Sequence, residues 1–459
     1  MSSLMPDDTI IAVSTPPGSG GIGIVRLSGR DALAIARKFF RPRSNVRTFA
    51  PRTAVFGTLR DPDRGESFDE GFLTYFKAPH SYTREDIVEI SCHGSQAVLE
   101  EAVRLGVKHG ARLAHPGEFT RRAYLRGRID ILQAEAVNDL VRAASFEQAR
   151  WAFRTVEGRL SRKIGGLRDE AVRLISEIEA AIEFPDENLP VSTRRILASM
   201  KRMAGSLETL IAGYETGRAL AHGLTLAILG KTNVGKSTLF NALLDEPRAI
   251  VTPFPGTTRD YLREKVKIKD AVFNLVDMAG LGVPSSAVEK EGMKRGRRIA
   301  SQAEGILFVF DGSRPESALD MALLKKYENK NNLFIINKID AGCRFRTGLL
   351  KSRYPNVPVL EVSALRGTKI GELKQMIYRR FAPKIGPGDE VIYHLRDKLL
   401  LEGALFHLDE GRKALEAGYP EEFCAEEIRN MIEEIGRLTG EVKADDVMES
   451  VFGRFCVGK

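Results

Sequence analysis

Gly230-Lys231-Thr232-Asn233-Val234-Gly235-Lys236-Ser237 follows the apolar run Leu224 to Leu229 and precedes a helix-like stretch, Thr238 to Leu244. The pattern is G-x-x-x-x-G-K-[ST] in strand, loop, helix context, and the chemistry it serves is phosphate binding. Backbone N–H groups of Asn233, Val234, Gly235, Lys236, Ser237 and Thr238 can cradle phosphates, Lys236 reaches the β- and γ-phosphates, and the Ser237 hydroxyl meets Mg²⁺. Three further matches follow in order. Asp277-Met278-Ala279-Gly280 is D-x-x-G at the end of a predicted strand, where Asp277 can hold the Mg²⁺ shell and the Gly280 N–H can sense a γ-phosphate. In Asn337-Lys338-Ile339-Asp340, the Asp340 carboxylate can accept two hydrogen bonds from the guanine N1–H and exocyclic amine, which adenine does not offer. Ser363-Ala364-Leu365 suits a backbone contact to the guanine carbonyl. A lone N-K-x-D is weak evidence. Ordered matches, each at the carboxyl end of a predicted strand, point to a GTP-binding domain.

The hydrolytic residues follow a less usual pattern. Ras-type domains place a water-orienting Gln after D-x-x-G, but Leu281 follows Gly280. Water must be positioned by another group. Gly256-Thr257-Thr258-Arg259-Asp260 reads as a switch loop in which Thr258 ligates Mg²⁺ and senses the γ-phosphate, with Arg259 either a solvated neighbour or a participant.

The elements that must carry these residues alternate strand and helix from Leu224 to about Phe381. Near-continuous apolar runs at Leu224 to Leu229, Phe273 to Val276, Ile306 to Phe310, Leu333 to Ile336 and Val357 to Val362 suit strands of a doubly wound sheet buried on both faces. Helical periodicity flanks this domain. Before it, Ile129, Leu132, Val137, Leu140, Val141 and Ala144 share a face, then Leu160, Ile164, Leu167, Ala171, Leu174, Ile178 and Ile182, then Ile196, Met200, Met203, Leu207, Leu210 and Tyr214. After the turn Pro383 to Gly388 come Leu395, Leu399, Leu405 and Leu408, then Ile428, Ile432, Ile435 and Leu438. Such stripes are bundle core rather than a cofactor box. The expected organisation is an α+β domain over residues 1–122, a helical bundle built from 123–219 and 383–459, and an inserted Ras-like α/β domain over 220–382.

In the first of these, strands are expected at Ile10 to Val13, Ile22 to Leu27, Ala54 to Leu59, Gly71 to Phe76 and Ile87 to Ser91, with a helix from Asp31 to Phe40. Gly18 to Gly23 formally contains G-x-G-x-x-G. A dinucleotide fingerprint needs a helix there, yet Gly23-Ile24-Val25-Arg26-Leu27 is β-like, so the glycines read as a hairpin.

Composition sets outer bounds. With 459 residues, 43% of them hydrophobic and 28% charged, the chain fits several globular domains. No apolar run approaches the roughly 18 residues of a membrane span. The opening MSSLMPDDTI carries no basic-then-apolar leader pattern, and a cytoplasmic location without a membrane is expected. Cys92, Cys343, Cys424 and Cys456 are too scattered for a zinc knuckle or a disulfide framework. A net charge of +8 is compatible with a nucleic-acid partner.

Thr15-Pro16-Pro17-Gly18, Pro116-Gly117-Glu118-Phe119, Leu132-Gln133-Ala134-Glu135-Ala136, the P-loop with Asn233 inside it, Gly256 to Asp260 and the terminal Cys456-Val457-Gly458-Lys459 together resemble the MnmE (TrmE) family of bacterial tRNA-modifying GTPases, nearly end to end. The resemblance implies an N-terminal domain that binds 5-formyl- or methylene-tetrahydrofolate and forms a homodimer. It also implies an FAD-binding partner of the MnmG type, with which a carboxymethylaminomethyl-type group is built at C5 of the wobble uridine of tRNA. Arg26, Glu89, Arg128 and Lys459 match its folate-contacting positions, although many members carry Lys where Arg128 stands. Basic side chains suit folate carboxylates, and an acidic one can pair with the pterin amine edge. Asn233 matches a residue that helps hold K⁺ beside the phosphates, completed by the loop around Thr252, Phe254 and Thr257. There the cation replaces an arginine finger. Glu289 matches a glutamate that positions water indirectly. Met278 and Gly282 depart from the family pattern. Cys456 reads either as a thiol beside the one-carbon folate or as a small packing residue.

Two other readings use the same domain. A ribosome-assembly GTPase binding rRNA shares Leu281 after D-x-x-G, but no G-x-x-G KH loop or basic-aromatic RNA module follows. A dynamin-like scaffold would need an amphipathic membrane tip, and none is evident.

Overall fold

In the computed structural model, residues 8–43, 48–183, 193–244, 263–277, 301–383, 386, 390–441, 451–453 and 455–458 are described. The chain divides into two compact units. One comprises Met1–Val141, Phe153–Leu207 and Leu399–Lys459; the other comprises Arg142–Ala152 and Glu208–Lys398.

The first unit opens with strands β1 (Ile10–Val13) and β2 (Gly20–Ser28), an antiparallel hairpin pairing Ile10 with Ser28 and Val13 with Val25. Gly18 lies in the turn between them, while Gly20, Gly21 and Gly23 already belong to β2, so no helix begins there. Helix α1 (Ala32–Phe39), β3 (Phe40–Pro42), β4 (Ala54–Arg60), β5 (Ser67–Phe76), β6 (Ile87–Gly94), α2 (Gln96–Lys108) and β7 (Arg112–Leu113) complete a seven-stranded sheet of order β3-β4-β5-β6-β2-β1-β7. Ile35, Phe39, Leu99 and Leu105 of the two helices close one sheet face over Val25, Leu27, Leu73, Val88 and Ile90. On the other face Ile10 and Ala12 meet Ala114 and Phe119, the latter from α3 (Glu118–Leu125), with Tyr82 packed against them.

Helix α4 (Ile131–Arg142) buries Ile131, Leu132, Ala134 and Ala136. Val141, expected on its apolar face, is 47% exposed, because the buried stripe is carried largely by alanines. Helices α5 (Phe146–Val156) and α6 (Arg159–Glu183) follow. The seam of α6 is buried at Leu160, Ile164, Leu167, Ala171, Leu174 and Ile178, as its three-and-four spacing requires. The next helical stripe divides between α7 (Thr193–Ala212) and α8 (Tyr214–His222), and all six of its expected residues are buried.

The second unit contains a six-stranded sheet. Its strands are β8 (Leu224–Leu229), β9 (Arg263–Ile268), β10 (Ala271–Asp277), β11 (Gly305–Asp311), β12 (Asn332–Asn337) and β13 (Val359–Glu361), in the order β13-β12-β11-β8-β10-β9. Every neighbouring pair is parallel except β10 with β9. Helices α9 (Lys236–Leu244) and α12 (Ile370–Phe381) cover one face through Leu239, Phe240, Leu243, Leu373 and Ile377. Helices α10 (Ala318–Lys326) and α11 (Thr347–Arg353) cover the other through Leu324 and Leu350. The continuous apolar runs are those of strands buried on both faces.

Two last helices are α13 (Leu395–Glu416) and α14 (Glu421–Thr439). Helix α14 packs on α6 through Cys424, Ile428, Met431, Ile435 and Leu438. In α13 the first half of the expected stripe is out of phase, while Leu408 is buried as expected. Leu395 and Leu399 are each 57% exposed, while Leu401, Ala404 and Leu408 are buried. Among the described residues, no helix is long and apolar enough to cross a membrane.

Candidate functional site

Parallel pairing brings the carboxyl ends of β8, β10, β11 and β12 to one edge, so the motif residues that follow them converge there. Lys236, only 6% exposed at the start of α9, donates from Nζ to the carbonyls of Gly230 at 3.0 Å and Lys231 at 2.7 Å. Burial pushes its pKa down, against the pull of the Asp277 carboxylate. The Ser237 Oγ donates to Asp277 Oδ2 at 2.7 Å. Asp277 is 2% exposed, and its other oxygen, Oδ1, is buried with no hydrogen-bond partner among the described residues. A hydroxyl beside a carboxylate with a spare buried oxygen is the donor set a hard divalent cation takes.

The base-recognition loop is fastened to the P-loop at two successive carbonyls. Asn337 Nδ2 donates to Val234 O at 3.0 Å, and Lys338 Nζ donates to Asn233 O. Asn337 Oδ1 accepts from the Ala364 N–H at 2.9 Å, tying in the loop after β13 as well. Asp340 Oδ1 accepts from Ser363 Oγ at 2.5 Å, and this bond holds the Asp340 carboxyl below its usual value. The exposed Asp340 thus remains an acceptor aimed from the loop that Asn337 anchors. Gly235 has φ +91°, and a Cβ there would lie 2.3 Å from Asn337 Nδ2, so both conformation and close approach require glycine. Asn233 adopts φ +62°, the left-handed region that Asn tolerates better than most residues.

Asp311, at the end of β11, was not singled out by the sequence motifs. Its Oδ2 pairs with Lys338 Nζ at 2.8 Å, and its Oδ1 accepts from the N–H and hydroxyl of Ser313. Burial works to raise its pKa, but Lys338 and Ser313 more than offset this and hold it low. An acidic residue closing an otherwise apolar strand, Gly305–Asp311, is the sequence signal that marks it. Thr252, Phe254, Thr257, Thr258, Arg259, Met278, Gly280, Leu281, Gly282 and Glu289 lie outside the described residues.

A second group of expected residues meets in the first unit. Arg26 on β2 and Glu89 on β6 are cross-strand partners joined by an ion pair of 2.7 Å, so they act at one locus. The Arg26 guanidinium sits 5.6 Å from the Phe119 ring centre and reaches Gly458 O at 3.5 Å. Gly458 also accepts from Ser14 Oγ at 3.1 Å. Its φ is +96°, and a Cβ would lie 2.1 Å from Val13 O, which seats the Val-Gly of the C-terminal motif against β1. Arg128 stacks 4.8 Å above Tyr82, whose hydroxyl bonds Thr120 Oγ1 at 3.0 Å. Burial raises the Tyr82 phenol pKa, while Thr120, Arg128 and Arg26 draw it down, so both arginines lie within electrostatic reach of one ring. Tyr82, which lies in no motif, and Phe119, whose motif carries no assigned contact, are aromatic side chains that read as core in the sequence. Cys456 is exposed, and its carbonyl accepts from Gly117 N at 3.4 Å. Lys459 lies outside the described residues.

Comparison with known proteins covers nearly the whole chain. The family description "MnmE helical domain" matches residues 131–456, and "GTP-binding protein TrmE N-terminus" matches residues 9–128. The protein named tRNA modification GTPase MnmE from Syntrophus aciditrophicus is 39% identical over 99% of this chain and 100% of its own length. Proteins of the same name from Thermoanaerobacter pseudethanolicus and Aquifex aeolicus are 40% and 37% identical, each over 98% of this chain and at least 99% of their own length. The chain therefore belongs to the MnmE family of GTPases, with a TrmE-type N-terminal domain, a helical domain and a Ras-like G domain.

Proposed function

We propose that the chain is a K⁺-stimulated GTPase that, together with an FAD-binding partner of the MnmG type, modifies C5 of the wobble uridine of certain tRNAs, using a one-carbon tetrahydrofolate. The observation that carries the GTPase half is the Asn337 side chain, which donates to Val234 O and accepts from Ala364 N, so phosphate loop and base loops are set by one residue. The name of the full-length relatives supports the tRNA half.

In this reading Ser237 and Asp277 hold Mg²⁺, which when bound neutralises charge on the β- and γ-phosphates. Lys236 leaves the Gly230 and Lys231 carbonyls for phosphate oxygens, its lowered pKa reflecting a site that gains by receiving anionic charge. Asp340 selects guanine, and Asn233, with Thr252, Phe254 and Thr257, admits K⁺. Thr258 and Arg259 belong to the switch, Gly280 senses the γ-phosphate, and Glu289 positions water. Arg26, Glu89, Arg128 and Lys459 take the folate, with Tyr82 and Phe119 offering aromatic faces beside them. The proposed division is 1–122 for folate binding and homodimerisation, 220–382 for GTP, and 123–219 with 383–459 for the helical part.

Turnover of GTP and ATP in matched KCl and NaCl tests the nucleotide and cation assignments. GTP should be hydrolysed in strong preference to ATP and faster in KCl, and Asn233→Ala should bind GTP but lose the K⁺ stimulation. Equal rates in the two salts, or equal use of ATP, would overturn them.

A further inference from the structure

Several cations of the N-terminal domain are neutralised: Arg43 pairs with Glu70, Arg64 and Arg104 with Asp61, Lys108 with Asp63, and Arg112 with Asp8 and Glu118, whereas Arg37, Lys38, Arg41 and Arg60 have no such partner among the described residues. Around the loop between β5 and β6 unpaired cations gather beside an aromatic ring, Tyr82. Arg52 before β4, Lys77 and Arg84 in this loop, Arg121 in α3 and Arg128 after it are exposed, and none has a carboxylate within ion-pair distance among the described residues. Contacts fix three of them, Arg52, Arg84 and Arg128. Arg52 Nη2 donates to His80 O at 3.3 Å, Arg84 Nη1 donates to Arg126 O at 2.9 Å, and Arg128 stacks on Tyr82 of the same loop as His80 and Arg84. Arg126 itself is spent on Glu85, a buried carboxylate that also serves Arg122.

Arg52 and Arg84 share a second property. They have φ +61° and +59°, a backbone region costly for residues with a Cβ, although glycine would adopt it freely. Nothing in the turn needs arginine for packing, since both side chains are exposed. The side chains are instead tethered through one nitrogen to a main-chain carbonyl, which leaves the rest of each guanidinium facing solvent. Unpaired, pre-oriented guanidinium groups around an aromatic ring form a surface suited to the phosphates of a single strand whose base enters beside the ring.

We propose that Arg52, Lys77, Arg84 and Arg121 form the RNA-phosphate contact surface of the N-terminal domain, holding the strand on either side of the base presented at Tyr82 and the Arg26–Glu89 pair. The assignment rests on the reading that the chain acts on tRNA. It adds where the RNA backbone lies and which side chains touch it.

The test is the affinity of the full-length protein for unmodified tRNA over a series of KCl concentrations, for the wild type and for Arg52→Gly/Arg84→Gly. Glycine suits both left-handed positions, so the backbone keeps its conformation, checked by a Tm close to that of the wild type, and the variant loses the two cations with their hydrogen bonds to His80 O and Arg126 O. Each lost phosphate contact should flatten the slope of log K against log salt by about 0.7 to 0.9, so the double variant should lose about 1.5 and bind several-fold more weakly at low salt. GTP turnover without tRNA should be unchanged. Wild-type binding with the same affinity and slope in the variant would overturn the surface while leaving the tRNA reading intact. Failure of the wild type itself to bind tRNA would overturn both.

Discussion

Asp311 shows how a residue outside every recognised motif can govern the motif residues. The Lys338 ammonium reaches the Asn233 carbonyl while its charge is balanced by Asp311 at 2.8 Å. Asp311→Asn keeps an oxygen that accepts from Ser313 and removes the charge that orients Lys338. Loss of a charge-assisted hydrogen bond costs about 1.5 to 3 kcal/mol, so the GTP dissociation constant should rise about tenfold or more, with kcat at saturating GTP little changed. Asp311→Glu should recover part of the affinity. Titration with a fluorescent guanine nucleotide measures this, and unchanged affinity in Asp311→Asn would remove the positioning role. The Asn337, Lys338, Asp340 and Ser363 side chains were legible in the sequence because their spacing is fixed by strand ends. Asp311 was not, because one acidic residue at the end of one apolar strand has no spacing to test.

Helix α3 combines buried apolar residues, Phe119, Ala123, Tyr124 and Leu125, with a network of ion pairs. Arg122, 2% exposed, pairs with Asp8, Glu85 and Glu118, and Arg112 adds a second link to Asp8 and Glu118. Burial alone would raise the Asp8 and Glu118 carboxyls, yet Arg112 and Arg122 more than offset it and hold both below their usual values. The unfolded chain therefore binds more protons than the folded one as pH falls through the carboxylate range. Stability from these pairs is complete above the unfolded-state values, near pH 4, and is lost as pH falls through the lower folded-state values. Urea unfolding followed between pH 7 and pH 3 should show this acid loss, and Arg112→Ala should lower neutral-pH stability and shrink the acid-sensitive part; an unchanged pH profile in the variant would contradict it. At this scale α6 and the strands with long apolar or alternating runs were readable, whereas the short β3 and β7 and the charged β9 were not. Helix α13 was not: it carries two competing stripes, and the buried one includes Ala404 while Leu395 and Leu399 face solvent. In the first turns the buried apolar positions are Leu401 and Ala404, so choosing Leu395 and Leu399 selects the wrong phase. Helix α4 misleads in the same way, with Ala134 and Ala136 buried and Val141 exposed.

For the whole molecule, the sequence joins two kinds of chemistry: a guanine-nucleotide domain, and a sheet domain that gathers Arg26, Glu89, Arg128 and the C-terminal motif. Family membership over nearly the full length supports reading them as parts of one enzyme. The central claim is that GTP hydrolysis by this chain serves wobble-uridine modification. Mass spectrometry of tRNA nucleosides from cells lacking the gene, and from cells complemented with the wild type or with Asp277→Ala, tests it most directly. The carboxymethylaminomethyl-type nucleosides should vanish on deletion, return with the wild type, and fail to return with Asp277→Ala. A normal wobble nucleoside profile in the deletion strain would contradict the account.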